Sequence, residues 1–461
     1  MSTSDGIRPL AYGVATASYQ IEGAADEDGR GPSIWDTFCA EPGRVRGGDD
    51  GAVACDSYHR LDDDVALVKG LGVDAYRFSL AWPRIMPEGT GRVEQRGLDH
   101  YDRLVDALLA EGIEPAVTLY HWDLPQALED AGGWPERRTA EAFVHYARVA
   151  HDRLGDRVTS WATHNEPWCA AYLGYAAGVH APGRQEGAAG HRAAHHLLLG
   201  HAWAREALPS AHLGIVLNLA PVWPESPDAR RVADGVDAIR NRVWLDPLVD
   251  GAYDERLLEV APVLADDELV RPGDLEAMRG SADWLGINYY TPIRPAAGTG
   301  EGAPHPEQHA YPGVTGLDLV VREPRTDIGW EVEPRGLEEL LVETHRRTGL
   351  PLVVTENGAA CADSEVVDGR VEDTDRVDYL RGHLAAVERA RAAGADVRGY
   401  FVWTLLDNFE WAEGYAKTFG LVHVDRSSPS LTRTPKTSYH WFAEQVAAPA
   451  RGRGAAGLLT P

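Results

Sequence analysis

Apolar positions along this chain follow two alternating rhythms. Short, nearly continuous apolar runs give way to longer stretches in which Ala, Leu and Val recur every three or four positions among Arg, Glu and Asp. The short runs are Leu10–Ala15, Val73–Ser79, Glu114–Tyr120, Val158–His164, Leu213–Asn218, Trp284–Asn288, Leu350–Thr355 and Val397–Trp403. Their length and their Gly, Pro and Asp boundaries predict buried strands of a parallel sheet. The amphipathic stretches Leu61–Leu71, Leu98–Ala110, Glu136–Leu154, His191–Leu208, Glu338–Thr348 and Val377–Ala393 predict helices. Eight strands, each followed by helix, predict an α/β fold: a single-domain (β/α)8 TIM barrel over residues 9–446, its chemistry at the C-terminal ends of the strands. Residues 1–8 and 447–461 are expected to be flexible ends. The Gly/Pro-rich stretch Pro295–Val314 is too long for an ordinary connection and is expected to be an active-site or mobile loop.

A chain of 461 residues that is 44% hydrophobic can bury such a core. Its net charge of −27 argues against nucleic acid and anionic membrane as partners, and leaves monomer and homo-oligomer open. Cys39, Cys55, Cys169 and Cys361 form no CxxC pair and no disulfide framework. The N-terminal sequence lacks the apolar stretch of an export signal, and no run of 18 apolar residues occurs, so a soluble cytoplasmic protein is expected. No GxGxxG opens a helix after the first strand and there is no P-loop, which argues against a nucleotide fold. His191 and His195 share a helix face, but without HExxH they are expected to be packing residues; neither a metal nor a cofactor is expected. The acidic runs Asp62–Asp64 and Asp266–Glu268 are expected to be solvated helix ends. Cys169 is expected to be a small buried hydrophobe.

The candidate chemistry sits where strands end. Thr163-His164-Asn165-Glu166-Pro167 and Thr355-Glu356-Asn357-Gly358 each present one glutamate at the end of a predicted strand, the fourth and the seventh. Pro167 biases Glu166 toward extended backbone. Splitting a glycosidic bond with retention takes two such carboxyl groups facing each other across a sugar, one to donate a proton and one to attack carbon. Other strand ends carry Gln20, Arg77, His121-Trp122, Asn288-Tyr289-Tyr290, Trp403 and, in the loop beyond, Glu410-Trp411. A pyranose has hydroxyls at its rim and C–H groups on its faces, so it calls for amides and carboxylates around the edge and indoles beneath.

Together these motifs, in this order, resemble glycoside hydrolase family 1, the β-glucosidase family, from about residue 10 to about residue 445. The resemblance implies a retaining β-glucosidase acting on terminal, non-reducing β-D-glucosyl residues, with a place in the breakdown of cellulose and other polysaccharides and a small-molecule β-glycoside as its partner. It implies Glu166 as acid/base and Glu356 as nucleophile, with Arg77 and Tyr290 flanking the nucleophile and Asn165 binding the sugar 2-hydroxyl. Gln20, His121, Trp122 and Glu410 would hold the other hydroxyls and Trp403 would form the floor. Trp411 and Phe419 would close the glycone pocket, and Trp330 would form the aglycone platform. It also implies a cis peptide after Trp403. Relatives acting on 6-phosphorylated sugars share Lys417 but carry serine and tyrosine where Glu410 and Phe419 stand, so neutral hexoses are expected. A broader β-glycosidase acting on galactosides or fucosides, or a transglycosidase, is the alternative, and a sugar-binding protein without activity a remote one. The chain departs from the family at His164, where phenylalanine is common, at Glu333, where tyrosine is usual, and at Leu10-Ala11-Tyr12-Gly13.

Overall fold

The structure, a computed structural model, describes residues 9–298 and 306–448. Its strands are β1 (Ala11–Ala15), β2 (Ala75–Ser79), β3 (Glu114–Tyr120), β4 (Ser160–Asn165), β5 (His212–Leu217), β6 (Trp284–Asn288), β7 (Arg294–Ala297), β8 (Leu317–Val320), β9 (Leu352–Asn357), β10 (Val397–Trp403), β11 (Val422–Val424) and β12 (Arg433–Pro435). Eight of them close into a parallel barrel in the order β1-β10-β9-β6-β5-β4-β3-β2. The pairs β7–β8 and β11–β12 are antiparallel ribbons in the loops that follow β6 and β10.

The strands read as continuous apolar runs because both faces are covered. Along β2, Ala75 joins an inner cluster with Ala116, Ala162, Trp284, Val353 and Phe401, while Tyr76 and Phe78 join the larger core between strands and helices. Small residues on the axis make room for the two large rings. Gly13 shows the limit of that room: a Cβ there would stand 2.2 Å from the Phe401 ring. Its neighbour Tyr12 turns outward onto Tyr400 and Phe442, so the unusual Leu10–Gly13 motif is a packing variant.

Element boundaries differ from the sequence expectations in informative ways. β9 runs to Asn357, so Glu356 lies inside the strand rather than just beyond its end. The fourth helix of the barrel layer begins at Gly187 and ends at Ala207, and a π-helix (Cys169–Ala177) follows β4, which no apolar periodicity announced. The C-terminal helix, Thr437–Ala447, includes position 447, which was expected to belong to a flexible end. Of the long stretch Pro295–Val314, the first residues form β7 and Pro306–Ala310 a 3-10 turn; positions 299–305, like 1–8 and 449–461, lie outside the described residues. Asp62, Asp63 and Asp64 do start a helix, but Asp64 is buried and bonded at 2.9 Å to Arg433 rather than solvated. Asp266–Glu268 is exposed, yet it forms a turn in which Asp266 accepts from the Glu268 N–H. Among the described residues, no helix is long and apolar enough to cross a membrane.

Candidate active site

Glu356 is fixed by two donors. The Arg77 guanidinium reaches its Oε1 at 2.6 Å and the Tyr290 hydroxyl reaches its Oε2 at 2.7 Å. Arg77 projects toward the barrel axis two residues after Ala75, as strand alternation requires. Both members of the ion pair are buried, so each depends on the other: an unpaired charge left there would cost about 3–5 kcal/mol. Gly358 closes the turn because the Trp403 carbonyl would stand 1.9 Å from any Cβ at that position. The Trp403–Thr404 peptide is cis, as the resemblance implied.

Glu166 follows β4 with φ +44°, not in the extended backbone that Pro167 favours but in the left-handed region that costs a non-glycine residue about 1–3 kcal/mol. Its N–H is tied at 2.9 Å to the Val216 carbonyl of β5, which holds the carboxyl over the barrel mouth. The carboxyl is buried and its pKa is pushed up to about 7, chiefly by loss of solvent and then by the charge of Glu356. Asn288 of β6 donates to Glu166 Oε1 at 2.9 Å and Cys169 donates to Oε2 at 3.2 Å.

A chain of hydrogen bonds through Arg77, Asn165 and Asn288 joins the two carboxyls. Asn165 Oδ1 accepts from Arg77 at 2.7 Å and from Asn288 at 2.9 Å. With its oxygen doubly occupied, Asn165 presents Nδ2 toward His121 Nε2 at 3.1 Å. His121 therefore accepts at Nε2 and carries its proton on Nδ1, a tautomer assigned from this geometry. Burial holds the ring neutral, its pKa well below the usual imidazole range.

Three buried polar atoms here have no partner among the described residues: Gln20 Oε1, His121 Nδ1 and Glu410 Oε2. Gln20 is oriented by donating Nε2 to the Phe409 carbonyl at 2.8 Å and to Asn408 at 3.2 Å. Glu410 keeps some exposure toward the cleft, but protein encloses it enough to push its pKa up to about 8, through burial first and then the charges of Glu356 and Glu166. A neutral carboxyl can donate as well as accept. An amide acceptor, a ring N–H and a carboxyl suit neighbouring hydroxyls of one small ring.

Aromatic rings shape the cleft. His121 stacks between Trp403 and Trp411, with interplanar angles of 16° and 15°. Trp122 and Trp411 lie 4.5 Å apart, each at positive φ. Tyr290, Trp330 and Phe419 form a second group, with Trp330 centred 5.2 Å from Tyr290 and 5.9 Å from Phe419. The loop carrying Glu410, Trp411 and Phe419 is anchored by Asp407, which accepts from Gly420 at 2.9 Å and from the buried Lys436 at 2.7 Å. The Trp122 indole N–H is given to the Asn165 carbonyl at 2.9 Å, so that group also braces Asn165.

The unusual positions resolve in the same way. His164 alternates away from the mouth, packs 4.4 Å from Phe143 and is held neutral by burial, so it adds no charge beside Glu166. Neither ring nitrogen meets a partner in full hydrogen-bond geometry among the described residues, although the Leu197 backbone lies near enough to oppose the effect of burial. Glu333 caps the helix Pro334–Thr348 through the Arg335 N–H. Lys417 is bonded to Asp327 at 2.9 Å. The histidines of the Gly187–Ala207 helix bond to protein: His191 to Tyr172, His195 to Tyr253 and Asp274, His196 to the Trp134 carbonyl, and His201 to Thr163. Among the described residues, no group of three or more His, Cys, Asp or Glu is placed to hold a metal. Asn288, Asn218 and Cys169 went unassigned as site residues in the sequence, although the first two close β6 and β5, where a barrel concentrates its chemistry.

Comparison with known proteins agrees with this geometry. A relative in Thermobispora bispora, a thermostable beta-glucosidase B, is 48% identical over 451 residues, spanning 97% of this chain and 91% of that protein. A bifunctional beta-D-glucosidase/beta-D-fucosidase of Bifidobacterium breve is 46% identical over 95% of this chain and 97% of its own length. Among solved structures, a psychrophilic beta-glucosidase of Micrococcus antarcticus superposes with a TM-score of 0.90 at 45% identity, covering 95% of this chain and 96% of that one. The beta-glucosidase of Thermotoga maritima in complex with deoxynojirimycin gives 0.88 at 41% identity, over 96% and 99% of the two chains. The family model of glycosyl hydrolase family 1 matches residues 8–450, nearly the whole length over which barrel, paired glutamates and aromatic cleft are built, and the chain belongs to that family.

Proposed function

We propose that this site hydrolyses terminal, non-reducing β-D-glucosyl residues with retention, Glu356 attacking the anomeric carbon and Glu166 serving first as acid and then as base. The observation that carries the reading is the asymmetry of the two carboxyls. Glu356 is held by a guanidinium and a phenol, both donors, so its oxygens act as acceptors. Glu166 is buried opposite that charge and holds its proton to about pH 7. In the first step the Glu166 proton passes to the glycosidic oxygen as the Glu356–carbon bond forms and the aglycone leaves. Esterification removes the Glu356 charge and with it one cause of the raised pKa. Glu166 then ionises more readily and takes a proton from the attacking water. Asn165, whose Nδ2 carries a second hydrogen beyond the one given to His121, is assigned to a sugar 2-hydroxyl, and Gln20, His121 and Glu410 to hydroxyls farther round the ring. Trp403 floors this pocket, Trp411 and Phe419 bound it, and Trp330 lies outward as an aglycone platform. A small neutral glycoside is the substrate class; we place the protein in the cytoplasm, with its oligomeric state left to measurement.

Proton NMR of 4-nitrophenyl β-D-glucoside turnover tests the reaction, with β-glucose as the first-formed product. An α-anomer would require direct displacement by water and overturn the nucleophile assignment. The pH profile supplies a second expectation. The active form of Glu166 in the first step is protonated and its pKa is raised, so kcat/KM holds on the acid side of the limb and falls as pH rises through about 7. A flat profile from pH 6 to about 9 would remove Glu166 as the acid.

One observation favours a broader reading. Glu410 carries an unpartnered oxygen and, as a neutral acid, can donate to or accept from a hydroxyl in either epimeric position. Turnover of β-fucosides or β-galactosides beside β-glucosides is the corresponding result in a panel of nitrophenyl glycosides.

A further inference from the structure

All four cysteines lie among the described residues, and three make ordinary packing contacts. Cys39 meets the Tyr19 hydroxyl, Cys55 donates to the Asp407 carbonyl, and Cys361 approaches the Ala359 carbonyl at 3.9 Å. Cys169 is different, because its thiol donates to the Glu166 carboxyl at Oε2, 3.2 Å away. Asn218, one residue beyond β5, donates its Nδ2 to the same sulfur at 3.2 Å. An amide hydrogen on the sulfur takes up its acceptor side and leaves the S–H directed at the carboxylate. The opposite oxygen of Glu166 is held by Asn288, so the carboxyl is gripped from both sides, by an amide and by a thiol.

We propose that Cys169, oriented by Asn218, is a positioning residue that fixes the rotamer of Glu166 and limits how far that carboxyl is stabilised as an anion. The proposal rests on the reading of Glu166 as acid/base and names a device acting on it. A thiol is a weak donor. A hydroxyl at that place would bond the charged form more strongly and take the proton from Glu166 at lower pH. A methyl would leave Oε2 without a donor and move the proton's release to higher pH. Burial keeps the thiol itself protonated, its pKa well above the usual range, so it stays a neutral donor throughout the working range.

Other groups face Glu166 from every side and set the background against which the thiol acts. Glu356 of β9 raises its pKa, and Arg240, from the segment Ala238–Arg242, lowers it. Glu410, from the loop after β10, and Tyr290, beyond β6, interact with it electrostatically, and the Glu307 charge acts on the thiol. None of these is altered by a change at Cys169, so a shift on substitution reports the thiol.

The test is the alkaline limb of kcat/KM for phenyl β-D-glucoside, whose poor leaving group needs the Glu166 proton. Cys169→Ser is expected to move that limb to lower pH and Cys169→Ala to higher pH, each by about half a unit. Asn218→Ala is expected to move it in the same direction as Cys169→Ala, and the double variant to add nothing beyond Cys169→Ala. The effects should be larger with phenyl than with 2,4-dinitrophenyl glucoside, which needs little protonation. Unmoved limbs in Cys169→Ser and Cys169→Ala, or shifts of one sign in both, overturn the proposal. If Cys169→Ala unfolds below the assay temperature, Cys169→Ser decides alone, since it preserves the shape of the side chain. Glu166→Ala separates the premise from the proposal: loss of the limb there, with no effect at Cys169, removes the thiol's part and leaves the acid/base standing. A limb that survives in Glu166→Ala removes the acid/base reading itself.

Discussion

Glu356→Gly is expected to lower hydrolysis of nitrophenyl β-glucoside by on the order of 10⁵-fold, about 7 kcal/mol of barrier. No neighbouring group can take over the attack. The other carboxyl, Glu166, is turned into position by Asn288 and Cys169 and holds its proton to about pH 7. Small anions are the natural replacement, because the variant keeps the Arg77 guanidinium and the Tyr290 hydroxyl that now grip the carboxylate. Added azide or formate is therefore expected to restore turnover, with azide yielding an α-glucosyl azide by a single inversion. Full activity in Glu356→Gly, with the fold intact by circular dichroism, would remove Glu356 as nucleophile. Activity that azide does not restore would point instead to collapse of the Arg77 site after its partner is lost.

How much of this was visible in the sequence depends on whether a residue's position reports its surroundings. The barrel was legible because strands covered on both faces are largely apolar, and runs such as Leu352–Val354 and Tyr400–Val402 show it plainly. The paired glutamates were legible for a related reason: charge at the end of an apolar strand is costly unless it has work there. Arg77 was visible as a charge in the second strand, but its place beside the nucleophile came from the family resemblance; its inward register, two positions after Ala75, is a finding of the structure.

The π-helix that places Cys169 beneath Glu166 was not legible, because Ala and Tyr on all sides give it no apolar stripe. Asn218 and Asn288 were visible as strand-end amides, but their hydrogen-bond partners come from other strands, and only closure of the barrel brings those together. Asp64 read as a solvated helix end because its partner, Arg433, arrives from the far end of the chain. His164 stands two residues before Glu166, but alternation sends it to the helix side of β4 and burial keeps it neutral. Long-range pairing is what local pattern leaves undetermined.

Glu166→Ala is expected to separate substrates by their leaving groups, and this is the sharper test of how the two carboxyls divide the reaction. With phenyl β-glucoside, kcat/KM should fall by about 10³-fold, within the range a positioned general acid contributes. With 2,4-dinitrophenyl glucoside, whose phenolate leaves unassisted, the fall should be about tenfold or less. The second step tells the same story from the other side. Without a base to activate water, the glycosyl-enzyme on Glu356 should accumulate, giving a burst of dinitrophenol and a low KM because the intermediate is populated at small substrate concentrations. Azide needs no base, so it should accelerate breakdown and yield a β-glucosyl azide, the opposite anomer to the one expected from Glu356→Gly. That pair of products tests the geometry more strictly than either rate. Two inversions on opposite faces of one carbon require Glu356 below the ring and Glu166 beside the departing oxygen. A network in which Arg77, Asn165 and Asn288 link the two carboxyls through successive hydrogen bonds is suited to hold that relation through both steps. Equal loss across leaving groups, or one anomer from both variants, would contradict this division of labour.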